Sequence, residues 1–228
     1  MEVVMRKILY LIKSIAGISF FFVFMFAAAG TLRFPRGWLL FGISMIGLAL
    51  NFIVIMRNDD LMNERSSSGR NAKPWDKKIL GAYALLTLIS YITAGLDAGR
   101  FHWSPDYGLM TMIPGIALIL TGSTLFMLAR MANNFFSSVA RIQKERNHCV
   151  CSSGIYRVVR HPGYLGMILS LAGFPLVTGS AFSFIPVLPA MSLLVLRTIL
   201  EDRMLHDELD GYAGYSRKTR YRLIPFIW

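Results

Sequence analysis

The sequence predicts an all-α, polytopic transmembrane helical bundle, and three observations point to it. Of the 228 residues, 54% are hydrophobic and 16% charged, with a mean hydropathy of +0.50; a soluble domain carries nearer a quarter charged residues. Several apolar stretches approach the roughly 20 residues that cross a bilayer as helix. The basic residues gather between those stretches, on alternate connections. Hydrocarbon offers the backbone no water to bond, so helices are the natural spanning element.

Leu9 to Gly30 is the first predicted span, with Lys13 its only charge. Its basic start and Ala27-Ala28-Ala29 resemble a signal peptide, but the apolar run is long and further spans follow, so it reads as a membrane helix. Lys13 lies a turn or two inside and is expected to snorkel to the interface. Trp38 to Met56 is a second, charge-free span. The polar stretch 57–78, with Ser66-Ser67-Ser68-Gly69, reads as a mobile linker. Ile79 to Gly95 and Leu109 to Leu128 follow, again without charge. Gly163 to Leu196 is longer and interrupted at Gly179, Pro186 and Pro189, so it reads as two helices. The chain thus divides into four spans over 1–131 and a second part over 132–228, with a helical hairpin at 163–200 and a polar C-terminal segment. Nothing in the first part resembles a chemical site.

A net charge of +11 suggests nucleic acid only until the charges are placed. Arg6 and Lys7, the 57–78 stretch, the 130–162 stretch and the C-terminal segment hold most of them, whereas the opposite connections hold Arg33, Arg36 and Arg100. Lys and Arg favour cytoplasmic loops, so the pattern argues against a nucleic-acid partner and puts the N-terminus and C-terminus in the cytoplasm. Cys149 and Cys151 fall in a segment assigned to that reducing side, which disfavours a disulfide. With His148 they make three candidate metal ligands where a structural zinc site takes four; they read as small residues, with no metal.

The hairpin brings distant polar residues to one level. A helix rises about 1.5 Å per residue, so the chain climbs from Gly163 to Thr178, turns at Gly179 and returns from Ala181 to Leu200. Arg197 and Glu201 then lie at the depth of His161 and Tyr164. They are four apart and share a helix face, so one reading is an intrahelical ion pair. The other is a site, since an ionisable group at the edge of hydrocarbon is functional by default.

Arg160-His161-Pro162-Gly163-Tyr164-Leu165-Gly166 opens the hairpin and Glu201-Asp202 follows at its far end. Pro162 suits the first turn of a helix, where its missing N–H costs nothing. Gly163 and Gly166 allow close approach to the backbone, and the free N–H groups there suit an anion. This R-H-P-x-Y-x-G run resembles the isoprenylcysteine carboxyl methyltransferase family and, more loosely, the phospholipid methyltransferases. The resemblance covers about the last hundred residues and includes Asn134-Phe135, Gln143, His148, Gly154, Tyr156, Arg197, Glu201, Gly211, Tyr212, Tyr215 and the ending Tyr221-Arg222-Leu223-Ile224-Pro225.

The resemblance implies a C-terminal cofactor-binding region built around the hairpin and an S-adenosylmethionine-dependent enzyme that releases S-adenosylhomocysteine. It implies cofactor contacts from Gln143, His148, Cys149, Val150, Cys151, Tyr156, His161, Pro162, Gly163, Tyr164 and Glu201. It implies that Arg197 binds the substrate and, with Glu201, serves catalysis. Read singly, His161 is a helix cap, Tyr156 and Tyr164 are interfacial aromatics, and Gln143 is solvated.

Methyl transfer from a sulfonium is an in-line displacement, so the protein chiefly aligns the reactants and excludes water. A carboxylate acceptor is ionised at pH 7 and needs no base, and Arg197 is expected to hold it through a bidentate pair. A lipophilic acceptor enters sideways from the bilayer. An amine acceptor, as in phospholipid N-methylation, is the alternative, with Glu201 receiving a proton. An NADPH-dependent membrane reductase is the rival of a different class; those enzymes are usually longer and have more spans.

Overall fold

A computed structural model of the chain describes residues 2–56 and 72–228, with seven α-helices and no strand among them. In chain order they are α1 (Glu2–Ala29), α2 (Pro35–Met56), α3 (Pro74–Ala94), α4 (Leu109–Ala132), α5 (Pro162–Thr178), α6 (Phe184–Glu208) and α7 (Tyr212–Lys218). Five candidate membrane spans, α1 to α4 and α6, are long and apolar enough to cross a bilayer, as the composition predicts. The predicted linker falls largely on 57–71, outside the described residues. Its last residues are not linker: Pro74 to Lys78 already form the first turn of α3.

The third span runs longer than predicted at both ends. α3 continues as a π-helical turn from Gly95 to Phe101. The predicted span stops at Gly95, short of Asp97, whose carboxylate is fully buried. It accepts the Ser104 backbone N–H at 2.8 Å and the Ser104 and Ser180 hydroxyls at 2.6 Å each. That carboxylate ties the connection after α3 to the turn between α5 and α6.

α5 and α6 form a hairpin, Pro162–Thr178 and Phe184–Glu208, that breaks at the Gly179 turn and not at the two prolines. Gly179 takes the left-handed conformation that ends α5 (φ 75°); a Cβ there would stand 2.5 Å from Arg36 Nη1. Pro186 and Pro189 lie inside α6. Pro186 is in its first turn, where a missing N–H is harmless.

α4 and α5 pack along their length, and glycines set how closely. A Cβ on Gly122 would meet the Gly166 carbonyl oxygen at 2.4 Å, and a Cβ on Gly166 would meet that of Gly122 at 2.4 Å. Gly115 and Gly173 repeat the arrangement seven residues on, with Gly173 facing the Gly115 carbonyl at 2.6 Å. Lipid is as apolar as the helix surface, so membrane helices associate by such close packing of small residues. Gly166→Val is therefore expected to cost about 1–3 kcal/mol of stability. A thermal shift in detergent reads it against Gly42→Ala, whose Cβ has no neighbour within 4 Å. Equal melting of the two variants would remove the seam from the account.

α5 has 17 residues, a rise of roughly 26 Å, short of the roughly 30 Å hydrocarbon core. Its N-terminus meets α6 beside Glu201 and Asp202, and α6 runs on to Glu208. The polar segment 133–161 has short 3₁₀ turns at Lys144–Arg146 and Gly154–Arg157 and closes over this end. Beneath it Ala129, Tyr156, Leu209, Tyr212 and Tyr215 form a separate apolar cluster.

Candidate active site

A cavity of about 270 Å³ lies where the N-terminus of α5 meets α6, under the 133–161 segment. From that segment His148, Cys149, Val150, Cys151 and Tyr156 reach it; from the hairpin come His161, Gly163, Tyr164, Arg197 and Glu201. Sequence reasoning had singled out all ten.

Pro162 and Gln143 do not line it. Pro162 sits at the start of α5 and serves the backbone. Gln143 is neither solvated nor at the cavity: it is fully buried and organises the segment from behind. Its Nε2 donates to the Phe135 carbonyl at 2.8 Å, its Oε1 accepts from Arg146 at 2.6 Å, and its backbone N–H reaches His148 Nδ1 at 3.3 Å. His148 in turn stacks on Phe135 at 4.5 Å.

Arg197 and Glu201 do not pair with each other. Arg197 is buried at 4% exposure and turns to Asp76 at the start of α3. Its Nε donates to Asp76 Oδ1 at 2.7 Å and its Nη2 to Oδ2 at 3.1 Å. Nη2 also donates to the Ser138 carbonyl at 2.9 Å, and the guanidinium lies 5.2 Å from the Tyr164 ring centre. The two-pronged edge expected for an acceptor is therefore already engaged. Glu201 instead accepts the Tyr164 hydroxyl. Four-residue spacing permits an intrahelical pair but does not compel one; the fully buried Asp76 carboxylate is the partner that most needs a cation.

His161 is likewise not a side-chain cap of α5. Its Nε2 lies 3.2 Å from Asp202 Oδ1, and Asp202, 1% exposed, is the hub of this end. Asp202 also accepts Arg160 Nη1 at 2.9 Å, Arg222 Nε at 2.8 Å and the Tyr212 hydroxyl at 2.8 Å. Burial, then the Asp202 charge, push the Tyr212 phenol far above its usual value, so it stays a neutral donor. Burial does the same to Tyr156, whose carbonyl accepts the Tyr215 hydroxyl at 2.7 Å. The hub pins the C-terminal segment too. The Arg160 and His161 backbone N–H groups donate to the Tyr221 and Arg222 carbonyls at 2.9 Å each.

The glycines of the motif meet protein. A Cβ on Gly163 would stand 2.9 Å from the Phe136 ring, and Gly166 faces α4. The close approach they allow is helix packing as well as cavity shape.

Sequence reasoning missed Asp76, Asp202 and the wall residues Leu80 and Phe126. Asp202 stood in view beside Glu201 without a role. Asp76 lies in the part judged free of chemistry, and one acid in the first turn of a helix is an ordinary feature.

A second, larger cavity of about 680 Å³ opens among α1 to α5 within the apolar part of the bundle. Phe126 and Met167 line both cavities. The two cavities, the second the more apolar, thus share a wall.

The comparisons bear on the part of the chain that builds this site. A family model described as "Isoprenylcysteine carboxyl methyltransferase (ICMT) family" matches residues 112–207. A "Probable protein-S-isoprenylcysteine O-methyltransferase" of Oryza sativa subsp. indica is 28% identical over 166 residues, covering 69% of this chain and 83% of the relative. The "Protein-S-isoprenylcysteine O-methyltransferase" of Saccharomyces cerevisiae is 26% identical over 160 residues, 66% of this chain and 64% of the relative. "Protein-S-isoprenylcysteine O-methyltransferase A" of Arabidopsis thaliana is 30% identical over 98 residues, 39% of this chain and 44% of the relative. Across residues 112–207, which hold most of α4, all of α5 and nearly all of α6, this multi-pass membrane protein matches the model of the isoprenylcysteine carboxyl methyltransferase family.

Proposed function

We propose that the chain transfers a methyl group from S-adenosylmethionine to the carboxylate of an isoprenylcysteine-like acceptor drawn from the bilayer. One observation carries the reading: a cavity holding the polar groups of Arg197, Tyr164 and Glu201 shares the Phe126–Met167 wall with a more apolar cavity that opens among the spans. A water-soluble donor and a lipophilic acceptor need such adjoining compartments.

The donor set fits S-adenosylmethionine. Glu201, oriented by the Tyr164 hydroxyl, offers a carboxylate to an ammonium or to ribose hydroxyls. Residues 148–151 and Tyr156 supply a mixed polar and apolar wall for the nucleoside. His161, held by Asp202, fixes the start of α5. When bound, the cofactor supplies a methyl carbon already activated by a cationic sulfur.

The protein's share is placement. Arg197 orients the acceptor carboxylate, which needs no general base at pH 7. The 133–161 segment and the C-terminal residues exclude water from the reacting pair. We place the site end in the cytoplasm, because Lys73, Lys77, Arg141, Lys144, Arg217 and Lys218 lie there and cytoplasmic loops carry the basic excess.

Calorimetry on detergent-purified protein tests the reading, with S-adenosylmethionine, S-adenosylhomocysteine and an NADPH control. Micromolar binding of the first two is expected, weakened at least about tenfold in Glu201→Gln. Labelled methyl transfer to N-acetyl-S-farnesylcysteine is expected to follow. Binding of NADPH alone would replace a methyltransferase with a reductase.

A further inference from the structure

We infer that Asp76, in the first turn of α3, is a positioning residue for the transfer: it sets which nitrogen of Arg197 an acceptor carboxylate can reach. The inference rests on the function proposed above. Asp76 lies outside the stretch matched by the family model.

An acid in a helix's first turn normally faces solvent and suits the helix dipole. Asp76 is instead fully buried, and its bonds run far along the chain. It takes Arg197 Nε and Nη2 from 121 residues away, and the Ala140 backbone N–H, at 2.7 Å, from 64 residues away. The Lys73 backbone N–H donates to the Ala140 carbonyl at 3.2 Å, and Arg197 Nη2 donates to Ser138. The α3 start, the 138–140 wall and Arg197 are therefore one braced unit. Ser138, Val139 and Ala140 all line the cavity.

The brace decides what Arg197 can offer. A guanidinium binds a carboxylate best through two parallel N–H groups on one edge. Asp76 occupies the Nε–Nη2 edge, the Tyr164 ring lies near the guanidinium, and Nη1 is the nitrogen without a hydrogen-bond partner among the described residues. An incoming carboxylate meets that nitrogen, in a direction fixed to the rigid start of α3. The Asp76–Arg197 pair is also neutral overall. It therefore favours a single anionic oxygen at Nη1, whereas without Asp76 the same arginine would turn its full edge to the acceptor.

Steady-state kinetics with N-acetyl-S-farnesylcysteine tests this. Asp76→Asn turns an amide N–H₂ toward donors on Arg197 or Ala140. The expected result is a fall in kcat/KM for the acceptor of at least about tenfold, with S-adenosylhomocysteine affinity within about threefold of wild type. Asp76→Glu keeps the charge, and so the buried pair, but displaces the guanidinium by a methylene. It is expected to fold, to bind the product cofactor normally and to show an intermediate kcat/KM; it carries the test if Asp76→Asn does not fold. Wild-type acceptor kinetics in a folded variant of either kind would overturn the inference and leave the function standing. A wild-type protein that neither binds S-adenosylhomocysteine nor transfers methyl would instead remove the function on which it rests.

Discussion

Arg197→Ala is expected to lower methyl transfer by about 10³-fold, the order seen when a preorganised donor at a reacting group is deleted. The guanidinium lines the cavity beside Tyr164 and Glu201. The structure adds a second consequence that sequence alone did not suggest. Removing Arg197 leaves Asp76, fully buried, with the Ala140 N–H as the remaining partner of its side chain among the described residues. An uncompensated buried carboxylate is strongly destabilising, so the variant loses thermal stability as well as turnover. Arg197→Lys separates the two effects. It keeps a positive charge for Asp76 but replaces a planar fork with a point charge. Lysine cannot bridge both Asp76 oxygens, reach Ser138 and present a further nitrogen at once. Near-normal melting, near-normal S-adenosylhomocysteine affinity and transfer still reduced at least about tenfold are expected. Full turnover in Arg197→Lys would mean that charge alone suffices at this position.

That contrast marks what the sequence could and could not convey. Apolar runs announced the spanning helices, and the alternation of basic connections announced which ends lie together. The ends of α3 were harder. Asp76 and Asp97 look like solvated charges, yet both are fully buried, because partners from distant segments reach them. Hydropathy averages over a window and registers neither a Ser104 nor an Arg197 that arrives from elsewhere. Helical spacing gave the level of Arg197 and Glu201 correctly but suggested a pairing that is not made. Local spacing counts possible partners on one helix; burial selects among partners on several. Gln143 illustrates the same limit, since its place among the motif residues did not disclose that it faces the segment's own backbone. The site's rim was therefore legible from the motif, while the residues that hold the rim were not.

Asp202 is the residue for which that distinction has the largest consequence, and Asp202→Ala is expected to lower stability by about 3–5 kcal/mol. Its carboxylate accepts from Arg160, Arg222, His161 and Tyr212 within 3.2 Å. The loss falls unevenly on those partners. The Arg222 side chain is 36% exposed and can return to water, whereas that of Arg160 is 8% exposed, and its Nε already lacks a partner. For a chain of this length the cost amounts to roughly 10 °C in melting temperature. The backbone bonds from Arg160 and His161 to Tyr221 and Arg222 lose the side-chain clamp beside them. The segment after α7 is then expected to open, and trypsin should cut faster at Lys218 and Arg220. S-adenosylhomocysteine affinity should fall as well, because His161 and the start of α5 are no longer fixed. Asp202→Asn keeps one acceptor oxygen and should lie between alanine and wild type on all three readouts. A tail as resistant to trypsin in Asp202→Ala as in wild type would show that the backbone bonds suffice, and would confine Asp202 to orienting His161.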